Sequence, residues 1–113
     1  LALELGERNG HLIEQAAEVL AFFLKTTGAR YPVRVRSKPS ASAELVMARL
    51  RDGATVGELR GLIAFKWDRW RGNADKAVYV RPSTLFRKRN FEEYRAEISA
   101  EVARDRDDER AGR

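Results

Sequence analysis

The sequence predicts an all-α fold, a small single-domain helical bundle of about four helices plus one short helix. Three observations lead there. Apolar residues recur at three- and four-residue spacing along separate stretches, and start and stop signals such as Thr55-Val56-Gly57-Glu58, Gly28 and Gly53 bracket them. The one alternating stretch, Val33-Arg34-Val35-Arg36, finds no second strand to pair with. At 113 residues the chain has room for a single core.

Taken in order, Leu1 to Gly10 reads as a linker ending in the turn pair Asn9-Gly10. Leu12, Ala16, Val19, Leu20, Phe23 and Leu24 then paint one helical stripe, and Gly28 suits the left-handed position that ends a helix. Ala29 to Pro39 is expected as an ordered loop. A second helix is predicted from Ala41 to Arg51, with Ser40 or Ser42 as N-cap and Asp52-Gly53 closing it. Thr55 and Glu58 have the spacing of a capping box, opening a third helix through Leu59, Leu62, Ile63, Lys66, Trp67 and Trp70. Arg71 to Lys76 reads as a loop. Pro82 fits the first position of a short helix running to Phe86. Asn90, three residues before Glu93, is the expected N-cap of a last helix carrying Phe91, Tyr94, Ile98 and Val102. The folded domain is thus predicted over 11–103, with 104–113 as a charged tail that either prolongs a solvated helix or is disordered.

Composition narrows the function. No apolar run approaches the length of a membrane span, and the N-terminus lacks the pattern of a secretory signal. The chain opens on Leu1 and its only methionine is Met47, so it is expected to be a segment of a longer protein. The absence of cysteine excludes disulfides, a thiolate nucleophile and a Cys-based zinc site. His11 is the only histidine, and no phosphate-binding glycine loop is present, so no catalytic constellation, cofactor site or metal site is predicted. The net charge of +5 is unevenly placed: residues 61–91 carry eight basic and two acidic residues, while 92–113 carry five and eight. A basic middle between acidic ends matches either a polyanion-binding surface or a solvated face.

Arg34, Arg36 and Lys38 form one basic cluster, and Arg87, Lys88 and Arg89 another; both are expected in loops that could reach phosphates without reading sequence. Lys66, Arg69 and Arg71 surround Trp67 and Trp70, which either pack in the core or an interface or offer an exposed ring for base stacking. Tyr79, Leu85, Phe86, Phe91 and Tyr94 are expected to pack a small core. Arg81, a charge inside that apolar run, implies either a buried partner or an exposed anionic ligand.

The run Tyr79-Val80-Arg81-Pro82-Ser83-Thr84-Leu85-Phe86, followed by Phe91 and Tyr94, resembles the conserved phage C-terminal domain family found in phage replication-initiation and replisome-organiser proteins. Upstream, Val19 to Lys25 with Gly28 and Tyr31, Ala48-Arg49-Leu50 with Gly53, and Leu62-Ile63 with Lys66 and Trp70 resemble the rest of the family pattern in order. Lys25 stands where an asparagine is usual, and the join Arg87-Lys88-Arg89-Asn90 is longer than typical.

The resemblance implies a non-enzymatic, DNA-associated domain of a replication initiator in the host cytoplasm, with a DnaD-like primosomal role. It would bind DNA non-specifically through Arg34, Arg36, Lys38, Lys66, Arg69, Arg71, Arg81, Arg87, Lys88 and Arg89, and help recruit the replicative helicase. The alternative is a module that docks on helicase or helicase loader without touching DNA. No membrane partner is expected, and self-association is left open.

Overall fold

The computed structural model describes the backbone of residues 2–29 and 33–111 and the side chains between 11 and 106 of those segments. Six helices follow one another: α1 (Ala2–Thr27), α2 (Ala41–Arg51), α3 (Val56–Trp70), α4 (Ala74–Ala77), α5 (Pro82–Leu85) and α6 (Lys88–Ala111). Among the described residues there is no strand, so the chain is all-α.

Helix α1 begins at Ala2, so residues 2–10, expected as a linker, are helical. An Asn-Gly pair marks a turn only where nothing continues the helix around it; here the helical hydrogen bonding runs through Asn9-Gly10. On the packed side of α1, Ala16, Val19, Leu20 and Phe23 are buried. Gly28 then takes φ +70 and donates its N–H to the Leu24 carbonyl at 2.9 Å, a geometry a side chain would strain. Tyr31 and Pro32 lie outside the described residues.

The loop from Val33 to Pro39 turns through left-handed Ser37 (φ 48) and Lys38 (φ 58), and the Ser40 N–H donates to the Arg34 carbonyl at 2.8 Å, closing it. Ser40 is the N-cap of α2: its hydroxyl accepts the Ala43 N–H at 3.2 Å. The capping box of α3 forms as expected, Thr55 Oγ1 accepting from Glu58 N–H at 3.1 Å while the Glu58 carboxylate accepts from Thr55 N–H at 3.4 Å.

Two elements depart from expectation. The Arg71–Lys76 loop contains the start of α4, whose first turn is held by Asn73 Oδ1 accepting the Asp75 N–H at 3.0 Å. Asn90 does not cap α6, which starts two residues earlier; its Nδ2 donates instead to the Thr84 carbonyl at 3.0 Å, tying α6 to the end of α5. Pro82 sits at the start of α5 as predicted, and Leu85 and Phe86 are fully buried beside it.

Helix α1 packs on α2 and α3, α5 joins α2 to α6, and α6 lies against α3. The shared core includes Phe23, Val46, Leu59, Leu62, Ile63, Val80, Leu85, Phe86 and Phe91. Along α6 the core contact fades: Phe91 is buried, Tyr94 and Ile98 are partly so, and Val102 is 45% exposed. The last turns of α6 therefore continue as helix beyond the core. Among the described residues no helix is long and apolar enough to cross a membrane.

Candidate nucleic-acid interface

Basic side chains divide into two groups by what holds them. The first group lies between helices. Lys66 is 3% exposed, its Nζ 2.9 Å from Glu97 Oε2 and stacked over the rings of Tyr94 (4.1 Å) and Trp70 (4.5 Å). Arg69 pairs with Glu101 and lies 4.4 Å over the Phe65 ring. Arg95 meets Glu58 at 2.6 Å, and Arg60 meets Glu18 at 3.3 Å while covering Phe22. Lys66, expected as a phosphate contact, is instead a buried part of the packing: it sits on the inward stripe of α3, and its ammonium is paired with Glu97. Arg69 is likewise engaged by Glu101 and Phe65.

Arg49 belongs with this group but is less well matched. It is 8% exposed and pairs with Asp52 at 3.2 Å through Nη2, yet its Nε and Nη1 are buried with no hydrogen-bond partner among the described residues. Such orphaned donors carry a desolvation cost.

The second group is exposed. Arg34, Arg36 and Lys38 stand on the turn before α2, with no carboxylate partner among the described residues. Arg51, which sequence reasoning did not single out, lines the same depression as Arg36, between Leu12, Val35 and Met47. Its position in the last turn of α2 was visible, but only the fold shows that the loop returns beside it. Arg71, Lys76, Arg81, Arg87 and Lys88 are also exposed and have no ion-pair partner among the described residues, and Arg89 has a 3.7 Å surface contact with Glu93. Lys76, in the last turn of α4, is a further exposed cation that sequence reasoning did not single out.

The Arg87-Lys88-Arg89 cluster is not a loop. Arg87 precedes α6, accepting the Phe91 N–H on its carbonyl at 2.8 Å, and Lys88 and Arg89 occupy the first turn. That turn contains no acidic residue. Cations at a helix N-terminus oppose the helix dipole, so their placement does not serve the helix; the same field favours an anion there.

Trp67 and Trp70 are both partly buried against the core, Trp70 edge-on to Tyr94 at 5.9 Å and 84°. Neither tryptophan is among the exposed side chains. Tyr79, expected in the core, is 47% exposed, because the chain turns its neighbour Val80 inward to 4% exposure. Arg81 resolves to the exposed branch: its guanidinium lies 5.9 Å from the Tyr79 ring centroid and its Nε donates to Thr84 Oγ1 at 3.1 Å. No carboxylate among the described residues holds it.

A family model described as conserved phage C-terminus matches residues 19–96. The chain belongs to that family. The conserved phage C-terminus match spans α1 from Val19 through the first turns of α6, and so includes both exposed basic groups and the Tyr79–Phe86 run. It stops two residues before Ile98, the last partly buried side chain of α6 that packs on the core. No curated protein and no solved structure matches the chain.

Proposed function

We propose that this phage domain is a non-enzymatic DNA-associated module of a replication-initiation protein, acting in the cytoplasm of the bacterial host. It would hold DNA through Arg34, Arg36 and Lys38 on one loop and through Arg71, Lys76, Arg81, Arg87, Lys88 and Arg89 on the segment 71–89, while helping recruit the replicative helicase in a DnaD-like primosomal role. One observation carries the reading: the cations between helices are matched by carboxylates, whereas among the described residues these exposed ones are left almost wholly unmatched. Leaving like charges together on a surface opposes folding by self-repulsion, and a polyanion relieves it. Contacts from exposed cations go to phosphates, so the binding is non-specific and steeply salt-dependent.

The test is a set of binding curves on unrelated duplexes at several salt concentrations. Similar affinities, with log affinity falling linearly in log salt, are expected. Preference for one duplex over many shuffled ones that survives high salt would count against it.

A second reading has its own observation. Val78 is 59% exposed beside exposed Tyr79 and Arg81, residue types that anchor protein interfaces. In that reading the domain docks on helicase or loader without DNA contact. Purified helicase in the same salt series separates the two.

A further inference from the structure

We propose that Tyr79, braced by Arg81, is a stacking platform for an unpaired base, which makes single-stranded DNA the preferred ligand of this domain. The inference rests on the DNA reading above and adds the strand preference that phosphate contacts alone do not confer.

Among the described residues Tyr79, 47% exposed, is the aromatic side chain most open to solvent; the tryptophans and Tyr94 are partly buried, and Phe23, Phe86 and Phe91 are buried. Family signatures rich in aromatics usually record a core, and here Val80, Leu85 and Phe86 do so while Tyr79 does not. An exposed ring held by the turn between α4 and α5 is restrained without being covered. The Tyr79 N–H donates to the Lys76 carbonyl at 2.9 Å, and the Arg81 N–H donates to the Tyr79 carbonyl at 2.9 Å. Arg81 is fixed in turn by Thr84, and its guanidinium sits beside the ring instead of reaching for a carboxylate.

Aromatic rings take bases from single strands because every base has a π-face that becomes available once it is unpaired and unstacked; in a duplex those faces are already occupied. Arg81 can meet the phosphate next to a base stacked on Tyr79, and Arg71, Lys76 and Arg87 on the same segment supply further cations for the flanking backbone. Asp75 is the only acidic residue between Arg71 and Arg89. The segment therefore combines the two components of sequence-tolerant single-strand binding, a basic track and an open ring.

The experiment compares three labelled ligands by fluorescence anisotropy on the full chain: a short oligothymidylate, an abasic strand of the same length carrying the same phosphates, and a duplex. Tyr79→Ala and Tyr79→Trp are measured alongside, with thermal melts by circular dichroism to establish that both fold. Oligothymidylate is expected to bind at least about fivefold more tightly than the abasic strand, the low end of what one aromatic–base stack supplies. Tyr79→Ala should bring oligothymidylate down to the abasic level and leave the abasic strand unchanged; Tyr79→Trp should keep the difference. Equal affinity for the two strands, or equal loss of both in Tyr79→Ala, overturns the stacking platform while leaving DNA binding intact. Failure to bind any of the three defeats the DNA reading itself.

Discussion

The contact between α3 and α6 and the segment that connects them use the same kinds of residue to opposite ends. Along the contact, Glu58 meets Arg95, Lys66 meets Glu97 and Arg69 meets Glu101, so the partners rise in the same order on both helices. Helices paired in that order run side by side in the same direction. A parallel pair needs a connection that travels back along its length, and residues 71–87 with the short helices α4 and α5 make that return. On the contact, cations are neutralised and rings are covered; on the return, the cations have no carboxylate partner among the described residues and Tyr79 is 47% exposed. The difference lies in pairing and not in charge density: the proposed DNA surface is the one whose cations lack a counter-charge among the described residues.

That comparison can be broken from either side. The largest effect should come from Phe86→Ala, which empties a fully buried position where α5 meets the core and should cost about 3–5 kcal/mol in chemical denaturation. A loss under about 1 kcal/mol would mean that the return segment is not anchored as described.

Next comes the α3–α6 contact. Glu97→Ala leaves the Lys66 ammonium buried without its carboxylate, and about 2–3 kcal/mol should be lost, below the usual range for a broken buried pair because Glu97 is half-exposed and the Trp70 and Tyr94 rings remain. Lys66→Met, which removes the charge and keeps the volume, should change stability by less than about 1.5 kcal/mol and leave DNA affinity and its salt slope alone. Weakened DNA binding in Lys66→Met would erase the line drawn between the two regions.

On the return segment the pattern should reverse. Arg87, Lys88 and Arg89 changed together to alanine should alter stability by no more than about 0.5 kcal/mol each, and could raise it, because all three are exposed and two oppose the α6 dipole. If each contacts one duplex phosphate, the dependence of log affinity on log salt should flatten by up to about 0.9 per residue. An unchanged slope would shift the assignment toward protein docking.

Much of this architecture was legible before any coordinates. Ser40, the Thr55–Glu58 box, Gly28, Gly53 and Pro82 are local signals whose chemistry acts within a few residues, and each ends or begins an element where its spacing indicates. What escaped was decided outside these start and stop signals. Asn90 has the composition of a cap, but α6 starts before it and its amide donates to the Thr84 carbonyl six residues earlier. Tyr79 and Val80 are both apolar enough for a core, and only the path of the return segment chooses Val80. Lys66 lies on the same stripe as Leu59, Leu62 and Ile63, which pointed inward, yet its charge argued for the surface until Glu97 came into view from α6.

The smallest expected effect probes how dry the α3–α6 contact is. Tyr94 packs under Lys66 and against Trp70, and its hydroxyl is held above its ordinary pKa of 10.0, first by burial and then by the nearby Glu93 and Glu97 carboxylates. All three causes disfavour the phenolate. A group whose pKa is raised on folding binds more protons in the folded state than in the unfolded one between the two values, so its contribution to stability is whole below about pH 10 and is lost as pH climbs through the folded value. Tyr94→Phe has no proton to lose there. The difference in melting temperature between the parent and Tyr94→Phe should therefore be constant through neutral pH and move in favour of Tyr94→Phe above about pH 10. A difference that stays flat through that window would mean that Tyr94 is hydrated in the folded state and that the contact is wetter than its ion pairs and stacked rings imply.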